Sequence, residues 1–161
     1  MDRARGRVGS TAVGMMELGP SGSLAGGDDR RLVVLRERAL AAMERAYAPY
    51  SGFRVGAALL GSDGSTSEGC NVENSSSPVG LCAERAALAA GVARGVRAFD
   101  ILTIATDADE PTPPCGMCRQ ALVEFSPRMV IVSVTRDGRE ARWTLEDLLP
   151  RAFTSRALER R

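Results

Sequence analysis

The spacing of apolar residues in the first half of the chain predicts one helix followed by a strand hairpin. Between residues 28 and 46, Leu32, Leu35, Ala39 and Met43 recur at helical spacing behind a pair of aspartates. Segments 55–60 and 66–72 resemble strands on either side of the Asp63-Gly64 turn signal. We therefore expect the two strands to pair antiparallel.

The second half predicts an alternation of helices and buried strands. The expected elements are helix 82–92, strand 99–106, helix 115–125, strand 129–135, strand 140–144 and helix 145–149. The strand–helix–strand–helix–strand order predicts right-handed parallel crossovers with helices packed on the sheet. The turn at 136–139 is too short for such a crossover, so we expect the last strand to be antiparallel. The pattern thus predicts an α/β fold with a mixed sheet.

Composition narrows the functional classes. The chain has 161 residues, 44% of them apolar, which is enough for one domain with a hydrophobic core. Its formal net charge is +1, so it lacks the excess of basic residues that nucleic-acid binding needs. Histidine is absent, which excludes Ser-His and Cys-His nucleophiles and His-ligated metals. No stretch is apolar enough to span a membrane. Four cysteines, two of them in a C-x-x-C pair, fit a metal site in the reducing cytoplasm.

The cysteines indicate a catalytic metal site. Cys115 and Cys118 are three residues apart, so a helix would place them on one face, one turn apart. With Cys82 as the third ligand, a zinc ion would keep a fourth position open for water, as catalytic zinc does. Adding Cys70 would instead give a closed structural site of four cysteines, and that alternative stays open. Cys70 also suits an ordinary core position.

Glu84 and Arg85 supply the chemistry expected beside such a metal. Zinc lowers the pKa of bound water, and Glu84 is placed to move its proton. Three thiolates leave the site negatively charged, so something must withdraw charge. The N-termini of the two helices could do so, and Arg85 could donate hydrogen bonds to a thiolate. Arg85 is equally well interpreted as a solvated helix charge.

Four segments together resemble the small, three-cysteine, homotetrameric cytidine deaminases. They are Cys82-Ala83-Glu84-Arg85, Pro114-Cys115-Gly116-Met117-Cys118-Arg119-Gln120, Gly69-Cys70-Asn71-Val72-Glu73-Asn74 and Leu148-Leu149-Pro150-Arg151-Ala152-Phe153. The resemblance runs from about Arg31 to Phe153. It implies a three-layer α/β/α sandwich with a five-stranded mixed sheet, one Zn²⁺ per chain and a cytoplasmic homotetramer whose active sites are shared between subunits.

The resemblance also implies substrate-binding roles, each with a simpler structural alternative. Phe53 would stack on the pyrimidine, or be a core aromatic. Asn71 and Glu73 would bind the ribose 3′-hydroxyl, or form a turn pair. The backbone of Ala83 would recognise the base. Phe153 would reach a neighbouring subunit's pocket, or be a hydrophobic plug.

Two further positions complete the implied site. Gln120, like Arg85, would lie in the second shell around the metal. Ser77 departs from the family pattern, because relatives usually carry a tyrosine there. That tyrosine helps to close the sugar side of the pocket, so its loss bears on substrate affinity.

These features predict a leader (1–27) without regular structure, a catalytic domain (28–154) and a polar tail (155–161). The expected reaction is hydrolytic deamination of cytidine and deoxycytidine to uridine and deoxyuridine, as in pyrimidine salvage. A modified cytosine nucleoside, such as a nucleoside antibiotic, is the alternative substrate. Editing of RNA or DNA is disfavoured by the neutral charge, few aromatics and missing histidine. A zinc protein without activity would have no need for Glu84.

Overall fold

The computed structural model describes residues 28–158. The helices are α1 (Asp28–Met43), α2 (Ala83–Ala93), α3 (Gly116–Val123) and α4 (Leu145–Leu148). The strands are β1 (Val55–Gly61), β2 (Thr66–Cys70), β3 (Phe99–Thr106), β4 (Val130–Thr135) and β5 (Glu140–Thr144). Short 3₁₀ turns occur at Ser77–Val79 and Ser155–Leu158. The predicted leader and residues 159–161 of the predicted tail lie outside the described residues.

The five strands form one mixed sheet in the order β2-β1-β3-β4-β5. β1 is antiparallel to both β2 and β3, so it separates the two strands that α2 connects. β3 and β4 are parallel neighbours joined through α3, and β5 is antiparallel to β4. The predicted mixed sheet with an antiparallel last strand is confirmed.

Helices cover both faces of the sheet, which makes the predicted three-layer sandwich. On one face, α1 buries Leu32, Leu35 and Met43 against the sheet. On the other face, residues of α2 and α3 pack on a cluster that includes Leu59, Leu102 and Ile131. Alternating residues of β3 belong to the apolar clusters on the two faces of the sheet. Ile104 faces α2 and α3, and Ala105 faces α1.

Glycine allows α2 to lie close to the sheet. A Cβ atom on Gly69 would lie 2.4 Å from the backbone nitrogen of Ala87 and 2.5 Å from the carbonyl oxygen of Ala83. Both atoms belong to α2, so any side chain at position 69 would push the helix away. Gly69 therefore helps to set the position of the helix that follows Cys82.

Two predicted elements end earlier than expected. Helix α1 stops at Met43, because Arg45 and Ala46 make tighter bonds to the carbonyls three residues before them. Strand β2 stops at Cys70, because the backbone of Val72 forms bridges with Tyr47 and Leu81 instead. The remaining boundaries lie within two residues of those predicted.

Candidate active site

The three predicted ligands come together where two helices begin. Cys82 immediately precedes α2, Cys115 immediately precedes α3, and Cys118 lies in the first turn of α3. Their sulfur atoms all lie within 4.8 Å of one another. The Sγ atoms of Cys82 and Cys115 are 3.9 Å apart, and those of Cys115 and Cys118 are 3.5 Å apart.

These distances fit a tetrahedral zinc ion. With Zn–S bonds of about 2.3 Å, two sulfurs in tetrahedral coordination lie roughly 3.8 Å apart. Among residues 28–158, these three cysteines are the group of Cys, Asp and Glu side chains that could hold a metal. The Cys70 thiol instead donates to the carbonyl oxygen of Arg45 at 3.4 Å, which places it outside the cluster. The geometry therefore favours a three-cysteine site over a closed four-cysteine site.

The surroundings of the cluster favour thiolate at Cys82. The pKa of Cys82 is lowered to about 5, mainly by hydrogen bonding to the Cys118 thiol and further by the Arg85 guanidinium. The pKa of Cys118 is raised, because its thiol is bonded to Cys82 and is buried. The first N–H groups of α2 and α3 add positive potential at the same place. A cysteine must be deprotonated to bind zinc. The Arg85 guanidinium and the helix N–H groups lower the free energy needed to deprotonate Cys82.

Arg85 is positioned by the loop before α2. Its NH2 group donates to the carbonyl oxygen of Gly80 at 3.1 Å, while its Nε is buried without a hydrogen-bond partner in the described part of the chain. The guanidinium thus lies beside Cys82 rather than in solvent. This position suits the predicted second-shell role better than that of a solvated charge.

Glu84 is buried beside the cysteines. Its side chain lies in the first turn of α2 with 5% of its surface exposed. Burial raises the pKa of Glu84, and the neighbouring Cys82 raises it further. A raised pKa makes this carboxylate a better proton acceptor than an ordinary glutamate.

Glu84, Cys82 and Cys115 border a narrow cavity of about 200 Å³. Its walls are formed by Phe53, Val55, Asn71, Cys82, Ala83, Glu84, Ile104, Thr106, Thr112, Pro113 and Cys115. The cavity is mainly apolar, with a few polar groups, as expected for a pocket that holds a flat ring. Phe53 and Ala83 both lie in this wall, and Phe53 is partly exposed rather than a core residue.

A broader depression of about 740 Å³ adjoins this cavity and shares Asn71, Cys82 and Cys115 with it. Glu73 and Ser77 both line the depression. If the base of a nucleoside filled the narrow cavity, the sugar would lie in this depression.

Asn71 and Glu73 hold the segment that carries Phe53. The Asn71 amide donates to the carbonyl oxygen of Phe53 and accepts from the backbone nitrogen of Val55. The Glu73 carboxylate accepts from the backbone nitrogens of Tyr50 and Ser51 and from the Ser51 hydroxyl, which in turn accepts from the backbone nitrogen of Phe53. These hydrogen bonds support the structural alternative, in which Asn71 and Glu73 stabilise the turn before β1.

Gln120 and Phe153 are connected at the C-terminal end. The Gln120 side-chain nitrogen donates to the carbonyl oxygen of Phe153 at 2.8 Å, so Gln120 anchors this segment. The Phe153 side chain is 61% exposed and lines neither of the two cavities of its own chain. An exposed aromatic ring is available to a second chain. That Phe153 reaches the pocket of a neighbouring subunit remains a prediction.

Thr106 and Arg119 were not assigned roles from the sequence pattern. The Thr106 hydroxyl is buried at the cavity wall. Arg119 donates to the carbonyl oxygens of Pro114 and Leu148, so it ties the loop before Cys115 to α4. Strand alternation could have placed Thr106 on the same face as Ile104, but no sequence signal reports a missing hydrogen-bond partner.

No helix within residues 28–158 has the length and apolarity needed to cross a membrane.

The chain matches known proteins over most of its described residues. Residues 31–134 match the family described as the cytidine and deoxycytidylate deaminase zinc-binding region. The cytidine deaminase of Sporosarcina psychrophila is 45% identical over 118 residues, which cover 73% of this chain and 87% of that protein. The cytidine deaminase of Halalkalibacterium halodurans is 41% identical over 130 residues, covering 79% and 96%.

Solved structures show the same fold. The crystal structure of cytidine deaminase from Burkholderia pseudomallei aligns with a TM-score of 0.72 at 44% identity, covering 75% of this chain and 98% of that one. The cytidine deaminase of Mycobacterium tuberculosis aligns with a TM-score of 0.66 at 38% identity, covering 76% and 96%. The matched region includes the three clustered cysteines and Glu84. The chain belongs to the cytidine and deoxycytidylate deaminase family.

Proposed function

We propose that this protein is a zinc-dependent hydrolase that converts cytidine and deoxycytidine to uridine and deoxyuridine with release of ammonia. The observation that carries the proposal is the position of Glu84. Its buried carboxyl group borders a cavity of about 200 Å³ that is also bordered by Cys82 and Cys115. The names of the relatives support the same substrate class.

Cys82, Cys115 and Cys118 would hold the zinc ion. When bound, the metal supplies a Lewis acid that makes water nucleophilic at neutral pH. The spacing of the three sulfurs suits tetrahedral coordination, and a three-ligand site would leave one position for water. Arg85 and the two helix N-termini would offset the negative charge of three thiolates.

Glu84 would carry the proton. Its carboxylate would take a proton from the attacking water and give it to ring atom N3 as the water oxygen bonds to C4. It would then take the proton of the new C4 hydroxyl and give it to the amine, so that the C4–N4 bond breaks and a C4 carbonyl forms. The raised pKa of Glu84 suits a group that must exist in both forms during the reaction. The overall change adds water across the N3–C4 double bond and then breaks the C4–N4 bond to release ammonia.

The walls of the cavity would orient the base. Phe53 offers an aromatic face for stacking, and Ala83 is the first residue of α2, whose early N–H groups lack helical partners. Asn71 and Glu73 would hold the ribose 3′-hydroxyl. Both are already bonded to the backbone, yet a carboxylate and an amide each retain capacity for one further hydrogen bond.

We further propose that the protein is a homotetramer. It would act in the cytoplasm, in pyrimidine salvage. Support for assembly comes from apolar side chains exposed around the larger depression and the C-terminal end. Tyr50 is 64% exposed, Met117 63% and Phe153 61%. Association would remove such groups from water and would bring Phe153 to a neighbouring site. Light scattering coupled to size exclusion should report four chains.

The test is a substrate panel followed by ultraviolet absorbance and ammonia release. Cytidine and deoxycytidine should be converted, while single-stranded oligonucleotides should not. Conversion of a modified cytosine nucleoside in preference to cytidine would instead support the alternative, which Ser77 keeps open because it presents a small side chain to the larger depression. Failure to convert any cytosine nucleoside by zinc-loaded protein would refute the proposal.

A further inference from the structure

The segment that leads into Cys115 has a single backbone donor. Residues 111–114 precede Cys115, and three of the four are prolines. Because proline has no backbone N–H, Thr112 carries the only amide hydrogen of this segment. Thr112 and Pro113 also form one wall of the narrow cavity. The partner of this one N–H group therefore bears directly on where the wall lies.

That partner is a side chain of the sheet. The backbone nitrogen of Thr112 donates to the Oγ atom of Ser133, and the two atoms are 2.9 Å apart. Ser133 is fully buried in β4, where it is paired with Ile104 on one side and Ala141 on the other. Ile104 borders the narrow cavity, whereas Ser133 does not. Since β4 is paired on both sides, Ser133 attaches the proline-rich segment to a rigid part of the fold beside the cavity.

We propose that Ser133 is a positioning residue that fixes the wall formed by Thr112 and Pro113 and so prepares the cavity for the cytosine ring. The inference rests on the proposed function, since it takes the ring to lie in this cavity. Without the Ser133 hydroxyl, the segment would move more freely, and binding would have to order it. Ser133 thus acts through Thr112 and Pro113, without touching the substrate.

Cys115 is held by other contacts. The Nε atom of Arg119 donates to the carbonyl oxygen of Pro114 at 2.7 Å, and the backbone nitrogen of Arg119 donates to the carbonyl oxygen of Cys115 at 3.0 Å. Loss of the Ser133 hydroxyl should therefore leave this zinc ligand in place. The expected signature is a higher KM for cytidine, with kcat and zinc content close to those of the wild type.

Ser133→Ala tests the proposal because it removes the acceptor and leaves a small side chain. KM for cytidine should rise about three- to tenfold, since binding would have to recover the order that one uncharged hydrogen bond provided. The value of kcat should stay within about twofold, because the chemical step is untouched. Ser133→Thr keeps the hydroxyl and should leave KM within about twofold of the wild type.

Ser126→Ala is the matched control. Ser126 is also buried, and its Oγ atom accepts from the backbone nitrogen of Phe99 at 2.7 Å. Phe99 is the first residue of β3 and Thr106 the last, so this bond lies roughly 20 Å from the cavity end of the strand. Both alanine variants lose one bond to a backbone N–H, so both should melt about 2–4 °C below the wild type. Only Ser133→Ala should change KM.

Two further measurements separate the structural step from the functional one. Hydrogen exchange at the Thr112 amide should be about tenfold faster in Ser133→Ala than in the wild type, and unchanged in Ser126→Ala. Calorimetry should compare cytidine binding to Glu84→Gln with binding to Glu84→Gln combined with Ser133→Ala, where no turnover interferes. The double variant should bind about three- to tenfold more weakly.

Unchanged exchange at Thr112, or the same KM in Ser133→Ala and the wild type, would overturn the inference. So would a KM that rises equally in Ser126→Ala or in Ser133→Thr, because the effect would then follow stability or packing instead of the hydroxyl. A loss of zinc or of kcat at unchanged KM would place the effect at Cys115 and would also overturn it. Failure of the proposed function is a separate result, in which zinc-loaded wild-type protein converts no cytosine nucleoside, whatever the exchange rate at Thr112.

Discussion

The side chain of Asn71 joins the end of β2 to the segment that carries Phe53. Its Nδ2 donates to the carbonyl oxygen of Phe53 at 2.8 Å, and its Oδ1 accepts from the backbone nitrogen of Val55, also at 2.8 Å. One amide thus occupies the backbone groups on either side of residue 54. Phe53, in the cavity wall, is held by a residue that also borders the cavity.

Asn71→Ala should destabilise the protein by about 1–3 kcal/mol, since it removes two hydrogen bonds to the backbone that contribute about 0.5–1.5 kcal/mol each. Urea unfolding followed by circular dichroism measures the change. Asn74→Ala is the control, because Asn74 makes one such bond, to the exposed nitrogen of Ser76. A change below about 0.5 kcal/mol is expected there. Equal effects for the two variants would show that the Asn71 bonds contribute little.

Glu73 should make stability depend on pH. Hydrogen bonds from the Ser51 hydroxyl and the Tyr50 backbone hold the pKa of Glu73 below its usual 4.5. The carboxylate is favoured in the folded state, so its contribution is present above about pH 4.5 and is lost as the pH falls through the lowered pKa.

Glu73→Gln removes this titration while keeping the shape of the side chain. The wild type should therefore be more stable than the variant at pH 7, and the difference should shrink as the pH falls below about 4.5. Urea unfolding of both proteins at several pH values provides the measurement. A difference that stays constant across this range would contradict the assigned hydrogen bonds.

Zinc content should distinguish the cysteines. Cys118→Ala removes a buried member of the cluster and should abolish stable zinc binding, because two sulfurs cannot fill a three-ligand protein site. Cys70→Ala should keep about one zinc per chain, since the Cys70 thiol is bonded to Arg45. Elemental analysis after dialysis measures both variants. Loss of zinc from Cys70→Ala would revive the four-cysteine alternative.

The parts of the fold that were predictable depend on local patterns. The apolar spacing of α1, the apolar runs of β3 and β4, and the short turn before β5 gave the element order and the direction of the last strand. The C-x-x-C spacing and the position of Cys82 at a helix start were enough to predict the metal cluster. The C-x-x-C pair is local, whereas the pairing of Cys82 with Cys115, 33 positions apart, was supported by the family resemblance.

The parts that were not predictable depend on contacts between distant segments. The early end of β2 follows from bridges of Val72 to Tyr47 and Leu81. The support of Phe53 by Asn71 joins residues 18 positions apart. The buried Thr106 hydroxyl has no hydrogen-bond partner among the described residues, which depends on the segments packed around it. Local sequence patterns do not report such relationships.

Replacing Glu84 tests the central claim most directly. Wild-type protein and Glu84→Gln should be compared for zinc content and for the loss of cytidine absorbance. The variant should retain about one zinc per chain, while kcat falls by about 10²–10⁴ because the proton carrier is gone. A variant that keeps its zinc and still converts cytidine at the wild-type rate would contradict the role of Glu84 and the mechanism built on it.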